Sequence, residues 1–250
     1  MWIKKGVVYK PDGSLAHSLS HAQVPFAYKH KDFLRVYFSS RDAQGQSRPT
    51  FIDVDYNDPT KILYVHDKPV LELGGPGEYD ETGAMPAWFV DMPNGDIWLY
   101  YTGWNRTHNS YRLSMGLSVS SDGGLTFKKM FKGPIMDRSI QNPIWAAQPS
   151  VMFDNGVWRM WYISGQKCEY IHGYPEPFYD CRYAESKDGL VWERHDDRAG
   201  IERSADGWDS MMMDYCHIFP HQNERIMFYN GNGFGASGFG YATEGMMNDE

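Results

Sequence analysis

Runs of basic residues are missing from this chain. Its formal charge is −8, from 24 Lys and Arg against 32 Asp and Glu. A nucleic-acid partner normally leaves a basic footprint, so none is expected. No window approaches the ~18 apolar residues of a membrane span. The opening stretch MWIKKGVVYKPDG carries charge without the apolar segment of a secretory leader. The expectation is a soluble, cytoplasmic protein with no membrane contact. Cysteine is scarce: Cys168, Cys181 and Cys216 are odd in number and lack zinc-type spacing, which argues against a disulfide framework and for buried free thiols. Helical periodicity is missing as well. His17 with His21, and His217 with His221, have i,i+4 spacing, which builds a metal site only on a helix. GNGFGA (231–236) is followed by strand-like sequence, so no helix N-terminus is offered to a pyrophosphate. Neither a metal nor a cofactor is expected.

What the chain does have is aromatic side chains, 16% of its 250 residues, and a repeat. LRVYFSSR (34–41), IWLYYTGW (97–104), WRMWYISG (158–165) and RIMFYNGN (225–232) align so that Phe38, Tyr101, Tyr162 and Tyr229 share one register. Each run is too short for a helix and reads as a buried strand. A strand and a turn precede each run, with Asn-Gly pairs at 94–95 and 155–156 as hairpin signals. A third strand follows each, and a fourth follows in the first three units. Repetition of four-stranded antiparallel units without intervening helices predicts an all-β fold, a β-propeller. A sandwich lacks the higher period. The expectation is one domain over 1–250 with four blades at about 22–72, 84–137, 147–197 and 212–244. The N-terminal strand, residues 2–10, is expected to complete the last blade and close the ring. Five blades is the alternative count.

SSDGGLTF (120–127) and SKDGLVW (186–192) occupy equivalent places. The first has the spacing of the Asp-box turn of sialidase-like propellers and the second is a shorter relative. Asp accepts backbone N–H bonds, Gly tolerates positive φ, and the aromatic anchors the hairpin. Asp122, Asp188, Phe127 and Trp192 are therefore read as structural.

With these pieces assembled, the chain resembles the five-bladed glycoside hydrolase superfamily of families 32, 43, 62, 68 and 130. It is most similar to members found among bacterial polysaccharide and lipopolysaccharide biosynthesis genes. The stretches that carry the likeness include SHAQVPF, RVYFSSRD, GGPGEYDETGAMP, YYTGWN, YAESKDGLVWER, GWDS and FYNGNGFGASGFGYA. Two departures stand out. Such relatives resemble five-unit rings, whereas here YAESKDGLVWER runs on to GWDS with no further unit between, as if one blade were lost. The resemblance also implies carboxylates beside the Pro-like position that starts each inner strand, but Val24, Met85, Gln148 and Tyr215 stand there.

Acids do lie close by. Asp80, Glu81 and Asp214 are the expected catalytic residues, since glycoside hydrolysis of this type uses two carboxyl groups. Expected substrate-binding partners at the strand ends are His21, Gln23, Arg41, Trp104, Asn105, Arg106, Gln148, Glu169, Asn230 and Asn232. Trp104 can stack on a sugar or fill core. Arg41 can hold an anion or form a strand-end pair with Asp42. Arg41, Arg106 and His21 are candidates for the anion cradle a phosphorylase needs. The function expected is a glycosidase or glycoside phosphorylase acting on a small-molecule or oligosaccharide ligand, a sugar of the bacterial cell surface or of a polysaccharide pathway. A non-catalytic sugar-binding or scaffolding propeller is the alternative.

Overall fold

A computed structural model describes residues 6–106, 111–221, 224–233 and 239–245. All regular structure among them is strand, apart from one short 3₁₀ turn at Asp196–Arg198. The chain divides into two compact units, one of residues 1–111 with 116–133, the other of 112–115 with 134–250.

In the first unit, β1 (Ser20–Lys29), β2 (Phe33–Arg41), β3 (Ser47–Asp55) and β4 (Ile62–Val65) pair in chain order, antiparallel. A second series runs β5 (Gly83–Asp91), β6 (Ile97–Arg106), β7 (Tyr111–Ser120) and β8 (Lys128–Lys129). One parallel bridge, Ser47 to Gly83, joins the two series. The second unit holds β9 (Trp145–Asp154), β10 (Val157–Ile171), β11 (Tyr174–Ser186) and β12 (Glu193–Arg194), all antiparallel. It also holds β13 (Asp214–His221), β14 (Glu224–Asn230) and β15 (Phe239–Gly245).

Phe38, Tyr101, Tyr162 and Tyr229 fall on β2, β6, β10 and β14, the second strand of each series. These strands are flanked on both edges, and Tyr37, Phe38, Ser39 and Ser40 are all buried, so both faces of β2 demand side chains that tolerate exclusion from water. In the first core Tyr37 stacks on Phe89 at 4.4 Å and meets Phe51 edge-on at 5.5 Å; such pairs contribute about 0.5–1.5 kcal/mol beyond their burial. In the second core Trp161 packs on Tyr183 at 4.8 Å, among Cys181, Met213 and Cys216.

The Asp-Gly turns are built as polar knots. Asp122 accepts from the amides of Leu125 and Thr126, both at 3.0 Å, and from the Thr126 hydroxyl at 2.6 Å. Asp188 accepts from the amides of Leu190 and Val191 at 2.8 and 3.0 Å. The first knot also grips β2: Tyr37 Oη donates to the Gly124 carbonyl at 2.8 Å, and Arg35 Nη1 donates to that of Gly123 at 3.1 Å. Arg35 is itself held bidentately by Asp53, at 2.8 and 3.0 Å.

The expected closing strand does not form where it is described. Residues 6–10 carry no strand, and Tyr9 packs its ring on Phe38 of β2 at 5.3 Å; residues 1–5 lie outside the described residues. No sheet among the described residues closes on itself. Of the cysteines, Cys181 and Cys216 are buried, whereas Cys168, expected to be buried, is exposed near the end of β10. No helix among the described residues is long and apolar enough to cross a membrane.

Candidate functional site

The first strand of each series breaks register, and β1 does so twice, the earlier break lying between Ser20 and Gln23. Shifts fall between Gln23 and Phe26 on β1, between Pro86 and Trp88 on β5, opposite Trp161 and Ile163 on β9, and between Asp214 and His217 on β13. At three of these bulges a residue other than glycine is left-handed: Val24 (φ 48°), Gln148 (φ 49°) and Tyr215 (φ 53°). His21 shares that conformation (φ 65°). Such residues cost about 1–3 kcal/mol each and cluster where a side chain must be re-aimed. The bulges were not foreseen from sequence, but a signal was present. Pro25, Pro86 and Pro149 sit inside strands, and proline within a sheet is confined to edges, strand starts and bulges.

In the second unit the bulge places Asp214 at the start of β13 with 1% exposure. The one hydrogen-bond partner of its carboxyl among the described residues is the Tyr215 amide, which donates to Oδ1 at 2.8 Å. Burial, opposed only by that amide, pushes its pKa up to about 7. No cation pairs with it among the described residues. The adjoining Cys216 thiol is raised by its neighbour Cys181 and by burial. Asn230 lies opposite Asp214 across the β13–β14 ladder. Beside it on β14, Tyr229 donates to Asp209 Oδ2 at 3.2 Å and stacks on Trp208 at 5.2 Å. Burial and Asp209 push the Tyr229 hydroxyl up to about 12. Asp209, from GWDS, is 4% exposed, and its Oδ1 has no partner among the described residues; sequence reasoning passed over it.

Other expected residues of this unit serve the fold. Asn232 caps the 207–212 segment, accepting from the Met211 and Met212 amides at 2.7 and 3.1 Å and donating to the Gly207 carbonyl at 2.9 Å. Glu169 is exposed on the β10–β11 hairpin and pairs with Lys167 at 2.6 Å. Gln148 is buried at the β9 bulge. The glycine run around 231 makes room for Trp208: a Cβ on Gly231 would lie 2.3 Å from the Trp208 carbonyl oxygen.

In the first unit Asp80 is fully buried and both its oxygens are engaged. Lys129 Nζ sits 2.8 Å from Oδ1 and 2.7 Å from Oδ2, and Tyr101 Oη donates to Oδ2 at 2.9 Å. Tyr79 bonds Tyr101 at 2.5 Å, and burial pushes both phenols well above their ordinary value. The carboxylate expected to be catalytic is thus the counter-ion of a closed network. Glu81 folds back on its own loop, accepting the Gly77 amide.

Of the strand-end residues, Gln23, Arg41 and Trp104 gather. Gln23 Oε1 accepts from Arg41 Nε and Nη2 at 3.2 and 3.1 Å, and the Arg41 guanidinium lies 4.6 Å over the Trp104 ring. Arg106 donates through Nη2 to the Gly45 carbonyl at 2.9 Å and through its amide to Thr82 Oγ1 at 3.0 Å. Asn105 donates to the Glu78 carbonyl at 2.9 Å, and His21 Nδ1 pairs with Ser20 Oγ at 2.8 Å. Burial, reinforced by Arg106, holds Arg41 below its ordinary pKa. The pairing entertained between Arg41 and Asp42 is not made: Asp42 binds Arg48 at 2.8 Å. No group of three or more metal-ligating side chains occurs among the described residues.

Solved structures place this architecture in a class, the β-propeller fold of glycoside hydrolases. A candidate glycosidase from Bacteroides thetaiotaomicron matches with a TM-score of 0.69 at 16% identity, over 94% of this chain and 75% of that one. A thermostable family-43 glycoside hydrolase gives 0.63 at 14% identity, over 91% and 72% of the two chains. A protein from a study of family-130 mannoside phosphorylases and hydrolases gives 0.65 at 15%, over 90% and 67%. No protein-family profile matches. By sequence, the chain is similar to two proteins of Mycobacterium tuberculosis, both described as uncharacterised. Each is 29% identical over 298 residues, covering 97% of this chain and 98% of its own. That span exceeds the 250 residues of the chain, so part of each relative faces no residue here.

Proposed function

We propose that this chain is a carbohydrate-active propeller, a glycosidase or glycoside phosphorylase, with Asp214 as its proton donor. The observation that carries the reading is a buried carboxyl with no cationic partner among the described residues, its pKa raised to about 7 beside a strained bulge. Glycosidic cleavage needs an acid that still holds its proton near neutrality, and the fold is one on which such chemistry is practised. Commitment of Asp80 to Lys129 and Tyr101 removes the most obvious second carboxylate. Phosphorolysis relieves that need, because phosphate is itself an anionic nucleophile. The ligand we infer is a cell-surface or polysaccharide-pathway sugar. Four blades is our count, supported by the four strand series and by the relatives' longer matched span.

A screen of nitrophenyl glycosides and oligosaccharides, with and without phosphate, tests the assignment. Turnover should fall as pH rises through about 7 and drop roughly 10²–10⁴-fold in Asp214→Asn. Turnover unchanged in that variant would defeat it. The second reading, a sugar-binding propeller without chemistry, is favoured by the closed Asp80 network and is supported if sugars raise the melting temperature with no turnover on any substrate.

A further inference from the structure

Arg41 and Arg106 flank the same turn. Arg41 is the last residue of β2, and Arg106 reaches the carbonyl of Gly45, four residues further along. Neither pairs with a carboxylate among the described residues. Acids in the neighbouring sequence are already spent: Asp42 on Arg48 and the Gln44 and Gln46 amides, Glu78 with Lys129 at 3.6 Å, Glu81 on the Gly77 amide. Arg41 is half-buried, and burial without a counter-ion is unfavourable for a guanidinium. Two cations drawn to one place raise that cost. Yet Arg41 is fixed on three sides: Gln23 holds Nε and Nη2, and the Trp104 face supports the plane. Nη1 is left without a partner among the described residues, as are Nε and Nη1 of Arg106. The Trp104 Nε1–H is buried and has no acceptor among the described residues either.

We infer that Arg41 and Arg106 form an oxyanion site on the first unit, which takes a ligand whose carboxylate or phosphate group is held between the two guanidinium forks. Planar, pre-aligned forks suit bidentate capture of such a group. The inference rests on the carbohydrate reading only for the rest of the ligand, which that reading makes an acidic or phosphorylated sugar.

Calorimetric titration with D-galacturonate, D-galactose and inorganic phosphate separates the sources, since the two sugars differ only at C6. Galacturonate should bind and galactose should not. Affinity should fall with added salt and drop at least tenfold in both Arg41→Met and Arg106→Gln, while Arg138→Gln, an exposed control, leaves it unchanged. Phosphate binding with the same arginine dependence also supports the site and assigns the oxyanion to phosphate. Failure of both anions to bind the wild type, or binding indifferent to both substitutions, overturns the inference. Arg106 is exposed, so its variant tests the site even where Arg41→Met folds poorly. A neutral oligosaccharide bound without regard to either arginine would overturn the oxyanion site and spare the carbohydrate reading. Phosphate bound through both arginines with no sugar bound at all would do the reverse.

Discussion

The Asp214 carboxyl, buried with one amide for company, keeps its proton to about pH 7, whereas an unperturbed aspartate loses it near 3.8. Between those values the folded state binds a proton the unfolded chain has released. The stability this confers is complete below the lower value and is lost as pH rises through the upper one. Asp214→Asn removes the titration. Wild type should therefore lose melting temperature relative to the variant between about pH 4 and about pH 7, measured by scanning calorimetry; parallel profiles would contradict the assignment. Asp80 differs in its partners, a buried carboxylate ion-paired with Lys129. Lys129→Met strands that charge and should cost roughly 3–5 kcal/mol. Adding Asp80→Asn should recover part of the loss, so that urea unfolding of the two singles and the double gives a sub-additive cycle. Sequence could place both aspartates beside inner strands. It could not tell them apart, because the lysine that neutralises Asp80 lies 49 residues away.

Among the elements, strands were legible and their ends less so. Aromatic register located β2, β6, β10 and β14 because a strand covered on both faces accepts little else. The two Asn-Gly pairs promised like hairpins and made different ones. Asn155 and Gly156 are both left-handed (φ 49° and 78°), joining β9 to β10 directly. At 92–96 only Gly95 is left-handed, and its amide closes on the Met92 carbonyl at 2.9 Å. The dipeptide therefore does not fix the turn: one loop spans 92–96 and the other only 155–156. The turn at 120–127 offers a sharper test. Gly123 and Gly124 both have positive φ, 71° and 83°, but a Cβ on Gly123 meets nothing within 4 Å, while one on Gly124 falls 2.0 Å from Tyr37 Oη. Gly123→Ala should cost about 1 kcal/mol. Gly124→Ala should cost a further ~1–3 kcal/mol for overpacking, read as a larger fall in the urea midpoint; equal losses would show that the knot does not grip β2.

For the whole molecule, the repeat announced a propeller while closure stayed out of reach, since a ring is closed by one strand whose sequence need only be compatible with an edge. Residues 6–10 spend their aromatic on Phe38 instead. The stretch YAESKDGLVWERH, which the sequence presents as the seam of a missing unit, holds a charge cluster: Glu185 takes Arg159 at 3.0 Å and Arg198 at 2.7 Å, and Arg194 binds Asn142 at 2.6 Å. Glu185 and Asp188 are bound into the third series rather than offered to a ligand. The grip of the 120–127 turn on β2 has one more effect, on the order in which the protein is made. Arg35 and Tyr37 are separated from their acceptors at Gly123 and Gly124 by 88 and 87 residues. At about 5–20 residues per second of synthesis, the nascent first sheet waits roughly 4–18 seconds for its lock, so a translational pause before residue 124 prolongs the life of an unlatched chain.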